Sequence, residues 1–78
     1  MNTEKTFADR LKELRNIRNY TQEELGKITN ISVQSIRRYE QGRLNEEPSA
    51  YNLLQLAKAL DVTPEYGLIG DNNLTSYT

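Results

Sequence analysis

Two short polar patterns of the kind that begin α-helices constrain the fold of this chain more than any other feature. Thr6 is followed three residues later by Asp9, and Thr21 is followed three residues later by Glu24. In each pair, the hydroxyl and the carboxylate can satisfy backbone N–H groups at a helix start. Apolar residues then recur at helical spacing: Phe7, Leu11 and Leu14 after the first pair, Leu25 and Ile28 after the second. The chain therefore predicts two successive amphipathic helices with these apolar residues on their inner sides.

The same kinds of signal place the helix ends. The first helix is expected over about residues 7–18, and the second should end before Asn30, which tolerates a left-handed backbone. Ser32 can then cap a third helix, expected over residues 33–41 and ended by Gly42. Only about three residues connect the second and third helices, so we expect these two helices to cross steeply.

The second half of the chain predicts two more helices. Pro48 and Ser49 precede a fourth helix with one apolar side, which comprises Leu53, Leu56, Ala57 and Leu60. Thr63 as the cap and Pro64 at the first helical position indicate a short fifth helix. The sequence shows neither β-alternation nor an internal repeat. The expected fold class is therefore all-α, a compact domain of five helices.

Length and composition fit a single small domain. A chain of 78 residues supports one modest core, and its apolar runs fall short of the ~18 residues of a membrane helix. We expect a flexible N-terminal arm over residues 1–5, a domain over residues 6–70 and a loose C-terminal tail over residues 71–78. Because the first ten residues are polar, we expect no secretory signal and a cytoplasmic protein with no membrane partner.

Cysteine and histidine are both absent from the sequence. Disulfides, thiolate ligands and imidazole ligands for zinc are therefore excluded. The commonest general base is missing as well. Paired glutamates occur, but no nucleophile or metal-binding cluster accompanies them. We therefore expect a binding domain with no catalytic site, no metal site and no cofactor.

Charge is unevenly distributed along the chain. The net charge is −1, which argues against general attraction to nucleic acid over the whole surface. Residues 33–43 nevertheless hold three arginines against one glutamate, and residues 44–78 hold one lysine against five acidic groups. The positive maximum therefore lies on the third predicted helix, and a local basic stripe of this kind favours a nucleic-acid partner.

The third predicted helix has two chemically different faces. At about 100° per residue, its polar side chains share one arc with Val33 at its edge: Gln34, Arg37, Arg38 and Gln41. Ile36 and Tyr39 point the opposite way, toward the expected core. Arginine pairs with the acceptors of guanine, glutamine matches adenine, and a small apolar side chain can contact a thymine methyl. Two arginines on a helix are more often an ordinary solvated face, so the pattern around them decides the interpretation.

That surrounding pattern resembles a known family. Residues 21–42, TQEELGKITNISVQSIRRYEQG, are similar to the helix-turn-helix of the phage lambda repressor and Cro-like DNA-binding domains, also called the XRE family. The similarity extends from Phe7 to about Ile69. Its matching positions are Arg15, Gln22, Leu25, Asn30-Ile31-Ser32, Ile36, Glu40, Gly42, Pro48-Ser49, Leu53, Ala57 and Leu60. One departure is Gly26, which stands where the family usually has alanine. It should keep the close helix–helix approach but weaken the second helix.

The resemblance implies a role for each side chain at these positions. The residues that would contact bases are Val33, Gln34 and Arg38, with Arg37 as their neighbour. The residues that would contact the DNA backbone are Gln22, Ser35, Gln41 and Arg43. Arg15 and Glu40 match a buried ion pair between the first and third helices, with a structural role. Glu46 and Glu47 lie in a loop longer than is usual in the family, where phosphates would repel them.

The resemblance also implies a function. We expect a sequence-specific double-stranded DNA-binding transcriptional regulator, a repressor from a bacterium or mobile element, that inserts residues 33–41 in the major groove. Two copies would bind a near-palindromic operator as a homodimer, through candidate surface residues Val62, Tyr66, Leu68 and Ile69. The alternative is an antitoxin or immunity-like module that holds a protein partner on the same scaffold, since the acidic second half would suit a basic partner.

Overall fold

The computed structural model describes residues 6–42 and 48–63, and both ranges are helical apart from short connections. It contains α1 (Phe7–Ile17), α2 (Gln22–Thr29), α3 (Val33–Gln41) and α4 (Ala50–Leu60). The prediction of an all-helical fold is confirmed over these ranges. The predicted arm, fifth helix and tail lie outside the described residues, so the expected count of five helices stays a prediction. None of the four helices is long and apolar enough to cross a membrane.

Both predicted capping boxes are present. The Thr6 hydroxyl accepts from the Asp9 N–H at 3.2 Å, and the Asp9 carboxylate accepts from the Thr6 N–H at 3.3 Å. Thr21 and Glu24 make the equivalent pair at 3.0 and 2.8 Å. Each box satisfies two N–H groups that a helix start leaves without an intrahelical partner. The starts of α1 and α2 are thus determined by residues three positions apart.

The connection between α2 and α3 is short and closely packed. Asn30 adopts the left-handed conformation, with φ of 61°, and the Ser32 hydroxyl accepts from the Ser35 N–H at 3.1 Å. A Cβ atom on Gly26 would lie 2.8 Å from the carbonyl oxygen of Ile31. From the sequence, Gly26 is expected to keep a close helix–helix approach and to weaken α2. The structure shows which backbone lies closest, since glycine allows the turn itself to lie directly against the helix.

The core takes its fully buried side chains from all four helices: Leu11, Leu25, Ile36, Leu56 and Leu60. The expectation that Ile28 forms the inner edge of α2 is wrong, because Ile28 is 52% exposed. The buried residues of this helix are Leu25, Gly26 and Thr29. The Thr29 hydroxyl donates to the carbonyl oxygen of Leu25 at 2.7 Å, so this polar side chain is buried with its hydrogen bond made.

Candidate nucleic-acid interface

Helix α3 separates its apolar and polar side chains onto opposite sides. Ile36 and Tyr39 are buried, and Tyr39 packs edge-to-face on Phe7 with ring centroids 6.1 Å apart. The side chains of the opposite side are exposed: Gln34, Arg37, Arg38 and Gln41. Val33 and Ser35 are half-buried beside them. We call these six residues the outer face of α3. It holds two guanidinium groups and two carboxamides on one side of a nine-residue helix.

A buried ion pair fixes the other side of α3. Arg15 Nε donates to Glu40 Oε2 at 2.7 Å, and Arg15 Nη2 donates to Glu40 Oε1 at 3.1 Å. Arg15 Nη1 also donates to the carbonyl oxygen of Tyr20 at 2.8 Å. The side chains of Arg15 and Glu40 are only 14% and 4% exposed. The arrangement joins α1, the connection after it and α3 through one guanidinium group.

The protonation state of Arg15 follows from this geometry. The hydrogen bond to Glu40 is the largest effect and raises the pKa of the Arg15 guanidinium. Burial, the next largest, lowers this pKa, and the negative charges of Glu40 and Glu23 raise it further, so the pKa is raised overall. Because the pKa of Arg15 is raised in the folded state, the contribution of its charged form to folding stability is fully present below the ordinary arginine pKa. Arg15 is therefore charged throughout the neutral and acidic range.

Gln22 belongs to the same network. Its Nε2 donates to Glu40 Oε1 at 3.0 Å, and the residue is half-buried at the first position of α2. The family resemblance implies a DNA backbone contact for Gln22, and in the structure one of its amide N–H groups points inward to Glu40. Its second amide N–H could donate a hydrogen bond to a phosphate. No spacing in the sequence signals the contact with Glu40, because it joins two helices whose relative positions are set by the whole fold.

The two arginines of the outer face have different surroundings. Arg37 Nη2 lies 3.2 Å from Oε2 of Glu23, a residue in the first turn of α2. Arg38 Nη2 lies 3.5 Å from the hydroxyl of Ser35, one turn back on α3. Sequence reasoning missed Glu23, because a residue's neighbour on another helix depends on the crossing of the two helices. The predicted backbone-contact residue Arg43 lies outside the described residues.

A family comparison decides how this arrangement is classified. The profile of a family described as Helix-turn-helix matches residues 11–67, which include all of α2, α3 and α4. The chain belongs to the lambda-repressor-like helix-turn-helix family. Helices α2 and α3 are the helix-turn-helix unit, and the resemblance inferred from residues 21–42 is confirmed.

Two relatives and one solved structure show the extent of the similarity. The chain is 37% identical to the repressor protein C2 of Salmonella phage P22 over 97% of its own length, and 34% identical to the transcriptional regulator DicA of Escherichia coli (strain K12) over 87%. It spans only 34% and 49% of those two proteins. The crystal structure of the P22 c2 repressor with synthetic operator 9T in the presence of Tl+ superposes with a TM-score of 0.77. That match is 34% identical and covers 87% of this chain and all of the other.

Proposed function

We propose that this chain is a sequence-specific double-stranded DNA-binding transcriptional regulator that inserts α3 in the major groove. The observation that carries the proposal is the outer face of α3, which presents guanidinium and carboxamide groups from one side of a helix whose other side is packed and ion-paired. A helix of this diameter fits the major groove, where each base pair displays a distinct pattern of donors and acceptors. The similarity to the P22 repressor in complex with an operator supports the same function.

Within this proposal the outer face divides into two groups of contacts. Val33, Gln34, Arg37 and Arg38 contact base edges. Ser35 and Gln41 hold the DNA backbone, together with Arg43 and the outward amide N–H of Gln22. Contacts to the backbone fix the position of the protein along the duplex, and contacts to base edges select the sequence. Gln22 also lies in the first turn of α2, where the helix dipole favours a phosphate.

The regulatory consequence we propose is repression by a homodimer. One domain of this size covers few base pairs, so two copies on a near-palindromic operator, with half-sites about 34 Å apart, give the required specificity. Occupation of such a site excludes polymerase from an overlapping promoter. Of the candidate dimer residues, Val62 packs partly buried against the core. The others, Tyr66, Leu68 and Ile69, lie outside the described residues. We propose a cytoplasmic protein with no catalytic role.

Selection of bound duplexes from a random pool tests the proposal directly. We expect a near-palindromic consensus. The affinity for the consensus duplex should fall steeply with salt, and a plot of log binding constant against log salt concentration should have a negative slope of about 0.9 per phosphate neutralised. Replacing Arg38 with alanine should relax preference at one base position in each half-site, whereas Gln41→Ala should weaken all sequences alike. A pool that shows no enrichment, together with salt-insensitive binding, would refute the function and favour a protein-binding module.

A further inference from the structure

The ion pair between Glu23 and Arg37 joins the two helices of the helix-turn-helix unit on their solvent side. The distance from Arg37 Nη2 to Glu23 Oε2 is 3.2 Å, and the side chains are 48% and 63% exposed. Glu23 follows Gln22, the proposed phosphate contact, and Arg37 belongs to the outer face of α3. A carboxylate therefore lies beside the surface that would meet DNA, where phosphates alone would disfavour it.

The geometry of a guanidinium group gives this carboxylate a use. Arginine has five N–H donors in a rigid planar fork. The hydrogen bond to Glu23 uses one N–H of Arg37 Nη2. The N–H groups of Nη1 and Nε lie on the other edges of the guanidinium plane, where they can donate to a base. An unrestrained arginine side chain loses much rotamer freedom when a base fixes it, and a side chain already held by Glu23 loses less.

The same bond changes the electrostatics of the outer face. An arginine without an acidic neighbour binds phosphates in every sequence, which raises non-specific and specific affinity together. The charge of Glu23 offsets that of Arg37, so Arg37 gains little from a phosphate and more from the paired acceptors of a guanine at the correct position.

We propose that Glu23 is a specificity-determining residue that acts by positioning Arg37. It holds the guanidinium across the outer face of α3, so that Arg37 discriminates between base pairs and contributes little to binding of non-operator DNA. This role rests on the proposed function, because it has meaning only for a protein that selects among duplexes.

The test compares Glu23→Gln with a matched control one residue away. Glu24→Gln removes the same charge, and its amide oxygen can still accept the hydrogen bond from the Thr21 N–H that Glu24 accepts at 2.8 Å. Both variants, Arg37→Ala and the double variant Glu23→Gln/Arg37→Ala are measured by duplex selection from a random pool. Each is also titrated with the wild-type consensus duplex and with a scrambled duplex, and thermal unfolding confirms that each is folded.

We expect both glutamine variants to bind the scrambled duplex more tightly, because both remove one negative charge. Only Glu23→Gln should also relax preference at one base position, the position that Arg37→Ala affects. Its ratio of consensus to scrambled affinity should fall about two- to fivefold below that of Glu24→Gln, the range of an exposed ion pair. In the Arg37→Ala background, Glu23→Gln should leave the selection profile unchanged.

Three results would overturn the inference while leaving the proposed function intact. In the first, the wild type selects a consensus, but the selection profiles of Glu23→Gln and Glu24→Gln are identical. The second is an effect of Glu23→Gln on base preference that persists without Arg37. The third is an Arg37→Ala profile equal to that of the wild type. Absence of any wild-type consensus is a different result, since it would refute the proposed function itself.

Discussion

Glu40 is the residue whose replacement should most disturb this fold. Glu40→Ala removes the acceptor of two hydrogen bonds from Arg15 and one from Gln22. It leaves the guanidinium of Arg15, a side chain that is 14% exposed, with the carbonyl oxygen of Tyr20 as its remaining acceptor in the network. Removing one partner of a buried ion pair costs about 3–5 kcal/mol, because the other charge stays largely buried without an opposite charge. A domain of 78 residues has a total stability of about 4–12 kcal/mol, so the loss is a large fraction of it.

Urea unfolding followed by circular dichroism measures this loss. For a small domain the free energy of unfolding falls by about 1 kcal/mol per molar urea, so the urea concentration at the unfolding midpoint should fall by about 3 M or more. The melting temperature should fall by at least about 12 °C, since each kcal/mol corresponds to about 4–8 °C at this size. Glu40→Gln keeps an acceptor oxygen of the same shape and should lose less, about 1–3 kcal/mol.

The paired replacement Arg15→Met/Glu40→Leu separates the two possible origins of the effect. If the cost of Glu40→Ala comes from a stranded charge, removal of both charges should recover most of the stability. An Ala variant within about 0.5 kcal/mol of the wild type would contradict this reasoning, because that is the range of an ordinary surface substitution. A paired variant that is less stable than Glu40→Ala would contradict it equally.

Three further predictions concern local geometry, and each is checked by the same urea titration. Gly26→Ala should lower stability by about 1 kcal/mol despite better helix propensity, because the new Cβ would lie 2.8 Å from the carbonyl oxygen of Ile31. Asn30→Ala should cost about 1–2 kcal/mol at a φ of 61°, whereas Asn30→Gly should be nearly neutral. Tyr39→Phe should cost about 1 kcal/mol, since it removes the acceptor of the 3.1 Å hydrogen bond from Asn52 Nδ2. A stabilised Gly26→Ala, a neutral Asn30→Ala or a neutral Tyr39→Phe would each refute its own argument.

The helix boundaries could be predicted from the sequence because they depend on neighbouring residues. Capping boxes join positions three apart, and the left-handed stops at Asn30 and Gly42 each depend on the backbone preference of a single residue. The outer face of α3 could be predicted for the same reason, since the helical repeat alone determines which side chains of a helix share one side. These parts of the structure require no knowledge of how the helices pack.

Predictions that depended on packing were less complete. Helical spacing allowed Ile28 to continue the apolar side of α2, but the turn after α2 lies against Gly26, and the buried side of the helix includes Gly26 and Thr29 instead. The pairing of Glu23 with Arg37 depends on where α2 and α3 cross. The contact between Gln22 and Glu40 likewise depends on the crossing. Periodicity within one helix carries no information about either.

The position of Glu40 suggests why a charge is present on the packed side of α3. Apolar contacts such as those of Ile36 and Tyr39 have no preferred direction, so they hold the helix against the core without fixing its rotation sharply. Rotation matters for a groove-binding helix, because one residue corresponds to about 100° and the base-contacting side chains occupy a limited arc. The carboxylate of Glu40 is directional, since it accepts bonds from α1 at 2.7 Å and from α2 at 3.0 Å. The buried ion pair therefore orients the outer face, and Glu23 orients one arginine within that face.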